Sequence, residues 1–192
     1  ELYRALTRLY EQKDRIELEL WRRIGSHLTG SSDPCPFFKD ITSSYFEGKG
    51  CEKAAYGYSR DHRPDCKQIN WGLVITEEGI PITLEIYPGN QPDKTTVLKT
   101  CKRLRDTFHI SSGIFVGDRG MVTEENIHGI EEMGYHYILT ETVGNAQEIV
   151  QETMANTPQP LGDEILLGDV EKGKRRWVVM KNPEMAEQSR KD

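Results

Sequence analysis

The spacing of apolar residues divides the first third of the chain into helical and extended segments. Over residues 1 to about 28, leucine and isoleucine recur at helical spacing among charged residues, which predicts an amphipathic helix or a helix pair with Gly25 as a plausible end. Residues 36–48 (PFFKDITSSYFEG) form an apolar, β-branched and aromatic run that predicts a strand. Residues 48–67 are Gly-rich and polar with no sustained period, so we interpret them as a loop.

The middle of the chain predicts a hairpin followed by a helix. Residues 69–76 (INWGLVIT) and 80–90 (IPITLEIYPGN) are two apolar runs separated by a turn that Gly79 closes. Residues 93–110 carry apolar side chains on one helical face, and Asp93 is the candidate N-cap. Three consecutive strands, all antiparallel neighbours, are therefore expected before the first helix of the sheet.

A second pair of segments completes the predicted sheet. The run GIFVGDRG predicts a short buried strand ending on Asp118, and Thr123 caps a helix that stops at Gly134. Residues 135–142 (YHYILTET) predict a fifth strand. The resulting order, β-β-β-α-β-α-β, indicates an α/β domain with helices packed on a mixed sheet, preceded by an N-terminal helical segment.

The last part of the chain has a different pattern. Residues 146–155 predict a helix, and residues 164–182 predict a hairpin that turns at residues 171–174, after a loop. We therefore predict three regions, namely a helical segment (1–30), the first part of an α/β core (31–143), and a helix plus β-hairpin that begins a separate β-rich element (144–192).

Length and composition narrow the classes of protein. A chain of 192 residues with 36% hydrophobic and 29% charged residues is long enough for one ordinary domain plus a small appendage. No apolar run approaches the roughly 20 residues that span a bilayer, and no signal-peptide pattern opens the sequence. We therefore expect a cytoplasmic protein with no membrane partner. The four cysteines form no CxxC pair and are expected to be reduced thiols: Cys35, Cys51, Cys66 and Cys101.

The charge balance constrains any contact with nucleic acid. A formal net charge of -6 argues against a surface that binds nucleic acid simply by being basic. Basic residues do cluster at residues 60–63 and 172–176, and bound divalent cations would offset carboxylates.

Two aspartates stand at the ends of apolar strands. Asp40 lies on the first predicted strand and Asp118 ends the fourth. Strand ends are where an α/β sheet presents groups to a ligand, and two converging carboxylates suit Mg²⁺ or Mn²⁺. By pattern alone, an aspartate after a strand is more often a turn former or a helix cap than a metal ligand. A metal site is therefore a hypothesis that the pattern allows without requiring.

Four stretches together resemble a known family. FKDITSSYFEG, GYSRDHRPDCKQINWGLVITEEGIPITLEIYPGNQPD, FVGDRGMVTEENI and MGYHYILT are similar, in this order and spacing, to the catalytic core of bacterial insertion-sequence DDE transposases. The resemblance runs from about residue 36 to residue 141 and continues more faintly through residues 175–192. It implies an RNase H-like fold with a β-rich insertion.

The resemblance also implies a metal site. Asp40 matches the first catalytic aspartate and Asp118 the second, and together they would hold two Mg²⁺ or Mn²⁺ ions. The family's third acidic residue, a glutamate on a helix beyond the insertion, has no match in these residues. On this ground we expect the chain to be a fragment, inactive by itself and weak in metal affinity.

The resemblance implies a function for the parent protein as well. That function is metal-dependent nicking of DNA at transposon ends, followed by attack of the freed 3′-hydroxyl on target DNA. The partners would be transposon-end and target DNA, in a homodimeric complex.

Four further residues are candidates for contact with DNA. Arg60, His62 and Arg63 lie in one loop and suit phosphate oxygens, but they could equally pin that loop through nearby aspartates. Arg119 can neutralise charge beside Asp118, bind phosphate, or form a surface salt bridge.

Two alternatives remain at this stage. A haloacid-dehalogenase-like phosphatase also places aspartates after an early and a late strand, but Thr42 and Val122 stand where that class has further aspartates. A non-catalytic, transposase-derived module that binds DNA or assembles with partners is the second alternative.

Overall fold

The structure is a computed structural model that describes residues 1–28, 35–48, 50–156, 158–161 and 165–182. It divides into two compact units, residues 1–140 and residues 141–192. The boundary lies near the predicted one at residue 143. The roles predicted for the three regions remain predictions.

The first unit is built on a five-stranded mixed sheet. The strands are β1 (Pro36–Phe46), β2 (Lys67–Thr76), β3 (Pro81–Pro88), β4 (Ile114–Gly117) and β5 (His136–Leu139). Their order across the sheet is β3-β2-β1-β4-β5, with β1 to β3 antiparallel and β4 and β5 parallel to β1 and to each other. The predicted mixed sheet and the predicted order of elements are confirmed, as expected for an RNase H-like fold.

Helices flank these strands in the chain. They are α1 (Leu2–Glu11), α2 (Lys13–Leu28), α3 (Val97–Asp106) and α4 (Glu124–Glu132), with short 3-10 turns at Asp93–Thr96 and Arg119–Met121. Thr123 caps α4 by accepting a hydrogen bond from the Asn126 amide, as predicted. The pattern allowed one helix or a helix pair over the first 28 residues, and the structure has the pair, α1 and α2.

Gly25 does not end the second helix, contrary to the prediction, because α2 continues to Leu28. Glycine is needed there for space. A Cβ at position 25 would lie 2.5 Å from ring carbons of Trp21, one turn earlier. The Trp21 indole packs in the core and donates a hydrogen bond to the Phe108 carbonyl oxygen at 3.0 Å. A glycine inside a helical pattern therefore marked close packing rather than a stop.

The hydrophobic core lies on one face of the sheet. Alternate residues of β1, Phe37 and Ile41 among them, are buried against apolar residues of α3 and β4 such as Leu104 and Phe115. The opposite face of β1 carries Phe38, which is 37% exposed, and Asp40. The alternation of a pleated strand thus separates a packed face from an open face, and Asp40 lies on the open one.

The second unit consists of a helix and a small antiparallel sheet. Its elements are α5 (Gln147–Ala155), β6 (Gln159–Leu161), β7 (Ile165–Lys172) and β8 (Arg175–Lys181), in the order β6-β7-β8. The predicted helix and hairpin are present, and Gly173 turns the hairpin with a positive φ of 68°. The short strand β6 lies in a segment that we interpreted as loop. It is an edge strand centred on a proline and lacks an alternating pattern.

Two further sequence predictions concern the whole chain. The four cysteines are free, as expected. Within the described ranges, no helix combines the length and the apolar character needed to cross a membrane.

Candidate active site

The two predicted aspartates come from neighbouring strands. β1 and β4 are parallel and hydrogen-bonded to each other, and their register pairs Phe37 with Phe115 and Phe38 with Val116. Asp40 and Asp118 each follow by two residues, so they occupy matching positions beyond the last paired residues. The backbone of Asp118 is still extended, with φ -83° and ψ 176°. Strand alternation therefore directs both side chains toward the open face.

Local backbone amides orient the two carboxylates. Asp40 Oδ1 accepts a hydrogen bond from the Ile41 amide at 2.8 Å. Asp118 Oδ1 accepts one from the Gly120 amide at 3.0 Å and thereby caps the 3-10 turn that follows β4. Both aspartates are exposed. Asp118 thus also serves as the cap that is the alternative explanation of an aspartate after a strand. Its second carboxylate oxygen takes no part in that contact.

The carboxylate of Asp93 lies beside that of Asp118. Asp93 was predicted to cap a helix, and this prediction is wrong, because the segment begins as a 3-10 turn with no side-chain cap. Its side chain instead accepts a hydrogen bond from Arg60 Nη2 at 2.7 Å. A Cβ added to Gly120 would lie 3.3 Å from Asp118 Oδ1 and 3.5 Å from Asp93 Oδ2. The carboxylates of Asp93 and Asp118 are therefore close neighbours.

The charges around Asp93 act in opposite directions. Burial raises the pKa of its carboxyl, the Arg60 guanidinium lowers it, and the negative charge of Asp118 raises it again, with a net upward shift. Arg60 therefore offsets part of the repulsion at a point where two aspartates meet.

The predicted DNA-contacting residues are not equivalent. Arg60 is brought to the site through Asp93. Arg63 is held within its own region by Asp65, at 2.8 Å, and by Glu47, at 3.5 Å. Its guanidinium also lies over the Tyr45 ring, 4.9 Å from the centroid. For Arg63, these contacts agree with the alternative that it pins the loop.

His62 and Arg119 lie on the surface near these groups. His62 is exposed and has a positive φ of 55°, a left-handed conformation that places it at a sharp turn of the loop. Arg119 directly follows Asp118 and is exposed. Among the described residues, Arg119 has no ion pair, so its charge is available to a ligand.

A buried ionic network lies on the opposite face of β1, directly behind Asp40. The Lys39 side chain is fully buried and donates to Tyr87 Oη at 3.1 Å and to Glu85 Oε2 at 3.5 Å. Thr100 of α3 contacts both Lys39 and Glu85. Burial lowers the pKa of Lys39 to about 8, although the charge of Glu85 opposes this shift. This network was not predicted from the sequence.

A signal for the network was present in the alternation of residues. Lys39 lies between Phe37 and Ile41, on the side of β1 that the pattern buries, and Glu85 lies between Thr83 and Tyr87 in the same way. A charged residue in the buried register of one strand predicts an opposite charge within reach on the same face of the sheet. Here β2 separates β1 from β3, so the two side chains meet across it.

The donor set fits an incomplete metal site. Asp40 and Asp118 supply hard oxygen ligands of the kind that Mg²⁺ and Mn²⁺ prefer. In the part of the chain that the structure describes, no group of three or more His, Cys, Asp or Glu side chains is arranged to hold a metal ion. Two aspartates at matching strand positions therefore offer part of a coordination shell.

Comparison with known proteins points to one family. A family model described as the transposase DDE domain matches residues 31–189. No curated protein sequence matches the chain.

Two solved structures are similar to the chain. One is the Mos1 transposase paired-end complex with left transposon end, with 15% identity and a TM-score of 0.36, covering 66% of this chain and 39% of that one. The other is the piggyBac transposase synaptic complex with hairpin DNA, with 12% identity and a TM-score of 0.43, covering 77% of this chain and 33% of that one. The chain thus spans less than half the length of either structure.

Proposed function

The chain belongs to the transposase DDE domain family, and from this premise we propose that its first unit carries two metal-binding aspartates of a transposase catalytic core, Asp40 and Asp118. In the whole protein, this core nicks DNA at the ends of an insertion sequence and joins the freed 3′-hydroxyl to target DNA. The observation that carries the proposal is the parallel register of β1 and β4, which puts both aspartates at matching positions on the open face. The family match leaves no support for the phosphatase alternative.

In the proposed site, each aspartate has a defined part. The Ile41 and Gly120 amides engage Oδ1 of Asp40 and Asp118, respectively, so Oδ2 of each carboxylate lies outside these contacts and would serve as the ligand of a cation. Asp40 and Asp118 would hold divalent ions, which would supply activation of the attacking oxygen and charge stabilisation of the leaving oxygen of a phosphodiester. Arg60 and Arg119 add positive charge beside the carboxylates, where the scissile phosphate must approach.

The partners follow from the same proposal. The DNA substrates are transposon ends and target DNA, the working assembly is a homodimer of the full-length protein, and the compartment is the cytoplasm. An open face that carries the two aspartates next to Arg60 and Arg119 agrees with an approach of DNA from that side.

These residues by themselves are expected to be inactive. No acidic residue in the chain matches the family's third carboxylate, and within the described ranges no cluster of three metal-binding side chains is found. The second candidate function is a module that binds DNA or assembles without catalysis. Plasmid DNA incubated with the chain and Mg²⁺ or Mn²⁺ should stay intact, and robust cleavage abolished by Asp118→Asn would show that the chain is active.

Titration with Mn²⁺ tests the site directly. We expect weak binding that Asp40→Asn and Asp118→Asn each reduce about tenfold, since each removes one charged ligand. Asp106→Asn is the control, because Asp106 is an exposed carboxylate whose ion pair is with the adjacent Arg105. Binding can be followed by the loss of the Mn²⁺ electron paramagnetic resonance signal.

Two results would contradict the metal site. One is equal Mn²⁺ affinity in the wild type and both aspartate variants. The other is a lower melting temperature of both variants without metal, which would indicate that the aspartates are structural, since removing repulsion between neighbouring carboxylates should not destabilise the fold.

A further inference from the structure

The ion pair between Arg60 and Asp93 joins two segments that are far apart in the sequence. Arg60 belongs to the loop between β1 and β2, and Asp93 begins the 3-10 turn before α3. The Nη2 to Oδ2 distance is 2.7 Å, and the two side chains are only 32% and 17% exposed, respectively. A short contact between two partly buried groups fixes the guanidinium far better than a surface pair would.

The location of this pair is more informative than its strength. Asp93 lies beside Asp118 at Gly120, where a Cβ would touch both carboxylates. The two carboxylates repel each other at this distance, and the Arg60 guanidinium paired with Asp93 offsets part of that repulsion.

The rest of the Arg60 guanidinium has donors left for a ligand. Its described hydrogen bond to Asp93 uses Nη2, and an arginine side chain offers five N–H groups in a fixed fork. Arg63, three residues later, differs because its Nε and Nη2 both donate to Asp65. Of the two arginines, Arg60 is therefore the one whose donors point beyond its own loop.

We infer that Asp93 is a positioning residue: it holds Arg60 beside Asp118 so that the guanidinium donates to a phosphate of bound DNA. The inference rests on the proposed function and deepens it, because it assigns a role to an aspartate outside the metal pair. It also separates the two arginines of the loop, with Arg60 directed to the site and Arg63 retained by its neighbours.

The test compares the affinity of the full chain for a fluorescently labelled DNA duplex, measured by anisotropy at several salt concentrations. Arg60→Ala should weaken binding about tenfold and reduce the salt slope by about one, as expected for the loss of one phosphate contact. Asp93→Ala should also weaken binding, although it removes a negative charge. Asp93→Asn keeps an oxygen acceptor for Arg60 and should restore most of the affinity.

Two comparisons distinguish positioning from simple charge. Asp61→Ala also removes one negative charge, from the exposed Asp61 in the loop that carries Arg60, and should leave binding unchanged or stronger. In an Arg60→Ala background, Asp93→Ala should cause no further loss, since the two residues act as one unit. If Asp93→Ala strengthens binding as Asp61→Ala does, or if the two losses add, the inference is overturned while the proposed DNA binding stands.

Hydrogen exchange provides a readout that does not depend on DNA. Asp93→Ala should speed amide exchange in residues 57–63, while the strands β1 and β2 keep their protection. Unchanged exchange in the loop would overturn the positioning role. Absence of any DNA affinity in the wild-type chain, with the loop released by Asp93→Ala, would instead count against the proposed function alone.

Discussion

At the scale of single residues, the protein buries a charged side chain on the face of β1 opposite the candidate site. Lys39 has no exposed side-chain area, and Glu85, its ion-pair partner, is 9% exposed. Burial raises the pKa of Glu85, but hydrogen bonds from Thr100 and Tyr87 and the charge of Lys39 outweigh it, so the pKa of the carboxyl is lowered overall. The network therefore stabilises the fold only while Glu85 is ionised.

Glu85→Gln tests this dependence. The substitution keeps the side-chain shape but leaves Lys39 buried without its counter-ion, and it should lower the free energy of unfolding by about 3 kcal/mol at neutral pH. Urea denaturation measures the loss. Glu78→Gln, in the exposed turn between β2 and β3, should change stability little.

The pH dependence of the free energy of unfolding tests whether Glu85 stabilises the fold through its charge. A lowered carboxyl pKa in the folded state means that the stabilisation is present above the unfolded-state pKa and is lost as pH falls through the lowered one. The difference in stability between the wild type and Glu85→Gln should therefore shrink in acid. A difference that stays constant down to low pH would show that Glu85 contributes through shape rather than charge.

At the scale of elements, Glu17 of α2 connects that helix to the sheet by hydrogen bonds. β3 is an edge strand, and Glu17 Oε1 accepts a hydrogen bond from its Leu84 amide at 2.9 Å. Glu17 Oε2 accepts from Thr83 and from Arg103 of α3, each at 3.0 Å. The Glu17 carboxylate thus links the Leu84 amide at the edge of β3 with the helices α2 and α3. This contact covers part of a strand edge that would otherwise be open to pairing.

Glu17→Ala should release this contact. We expect a loss of about 2 kcal/mol, typical of hydrogen bonds to a charged group, and faster hydrogen exchange at the Leu84 amide. Glu19→Ala is the matched control on the same helix, because Glu19 is half exposed and pairs with Arg23 only on the surface. Retained protection of Leu84 in Glu17→Ala would mean that apolar packing around Trp21 alone docks α2.

At the scale of the whole molecule, the two units differ in how much they bury. The core cluster lies in residues 1–140, whereas the buried residues described in the second unit are Ala146 and Thr153. The helix α5 packs closely on β7, where a Cβ at Gly168 would lie 2.6 Å from Thr153 Cγ2. A small unit with few buried side chains has little apolar area to oppose its conformational entropy.

The second unit should therefore open at lower free energy than the first. In native-state hydrogen exchange, we expect amides of β7 and β8 to exchange about tenfold faster or more than those of β1 and β2. If the second unit unfolds on its own, low concentrations of urea should speed its exchange with a smaller denaturant dependence than that of β1 and β2, because its opening exposes less surface. Equal protection in both sheets, lost in one transition, would show that the units unfold together.

The sequence by itself determined the elements and the family. Apolar periodicity, turn glycines and the Thr123 cap are local signals, so they predicted the order of strands and helices, and the linked motifs indicated a transposase. The same signals failed at Gly25 and Asp93, where a local pattern has two explanations. Gly25 makes room for Trp21, one turn earlier, whose indole is fixed by the distant Phe108, and Asp93 pairs with Arg60, which lies in another loop.

Tertiary structure alone decided which of these residues lie near one another. The pairing of β1 with β4 aligns Asp40 and Asp118, and the loop between β1 and β2 carries Arg60, but not the pinned Arg63, to Asp93. These contacts join residues separated by tens of positions, and their partners are set by strand order and register. Residue patterns record which side chains are buried or capped. They do not record which distant side chain supplies the opposite charge, because that choice is made by packing.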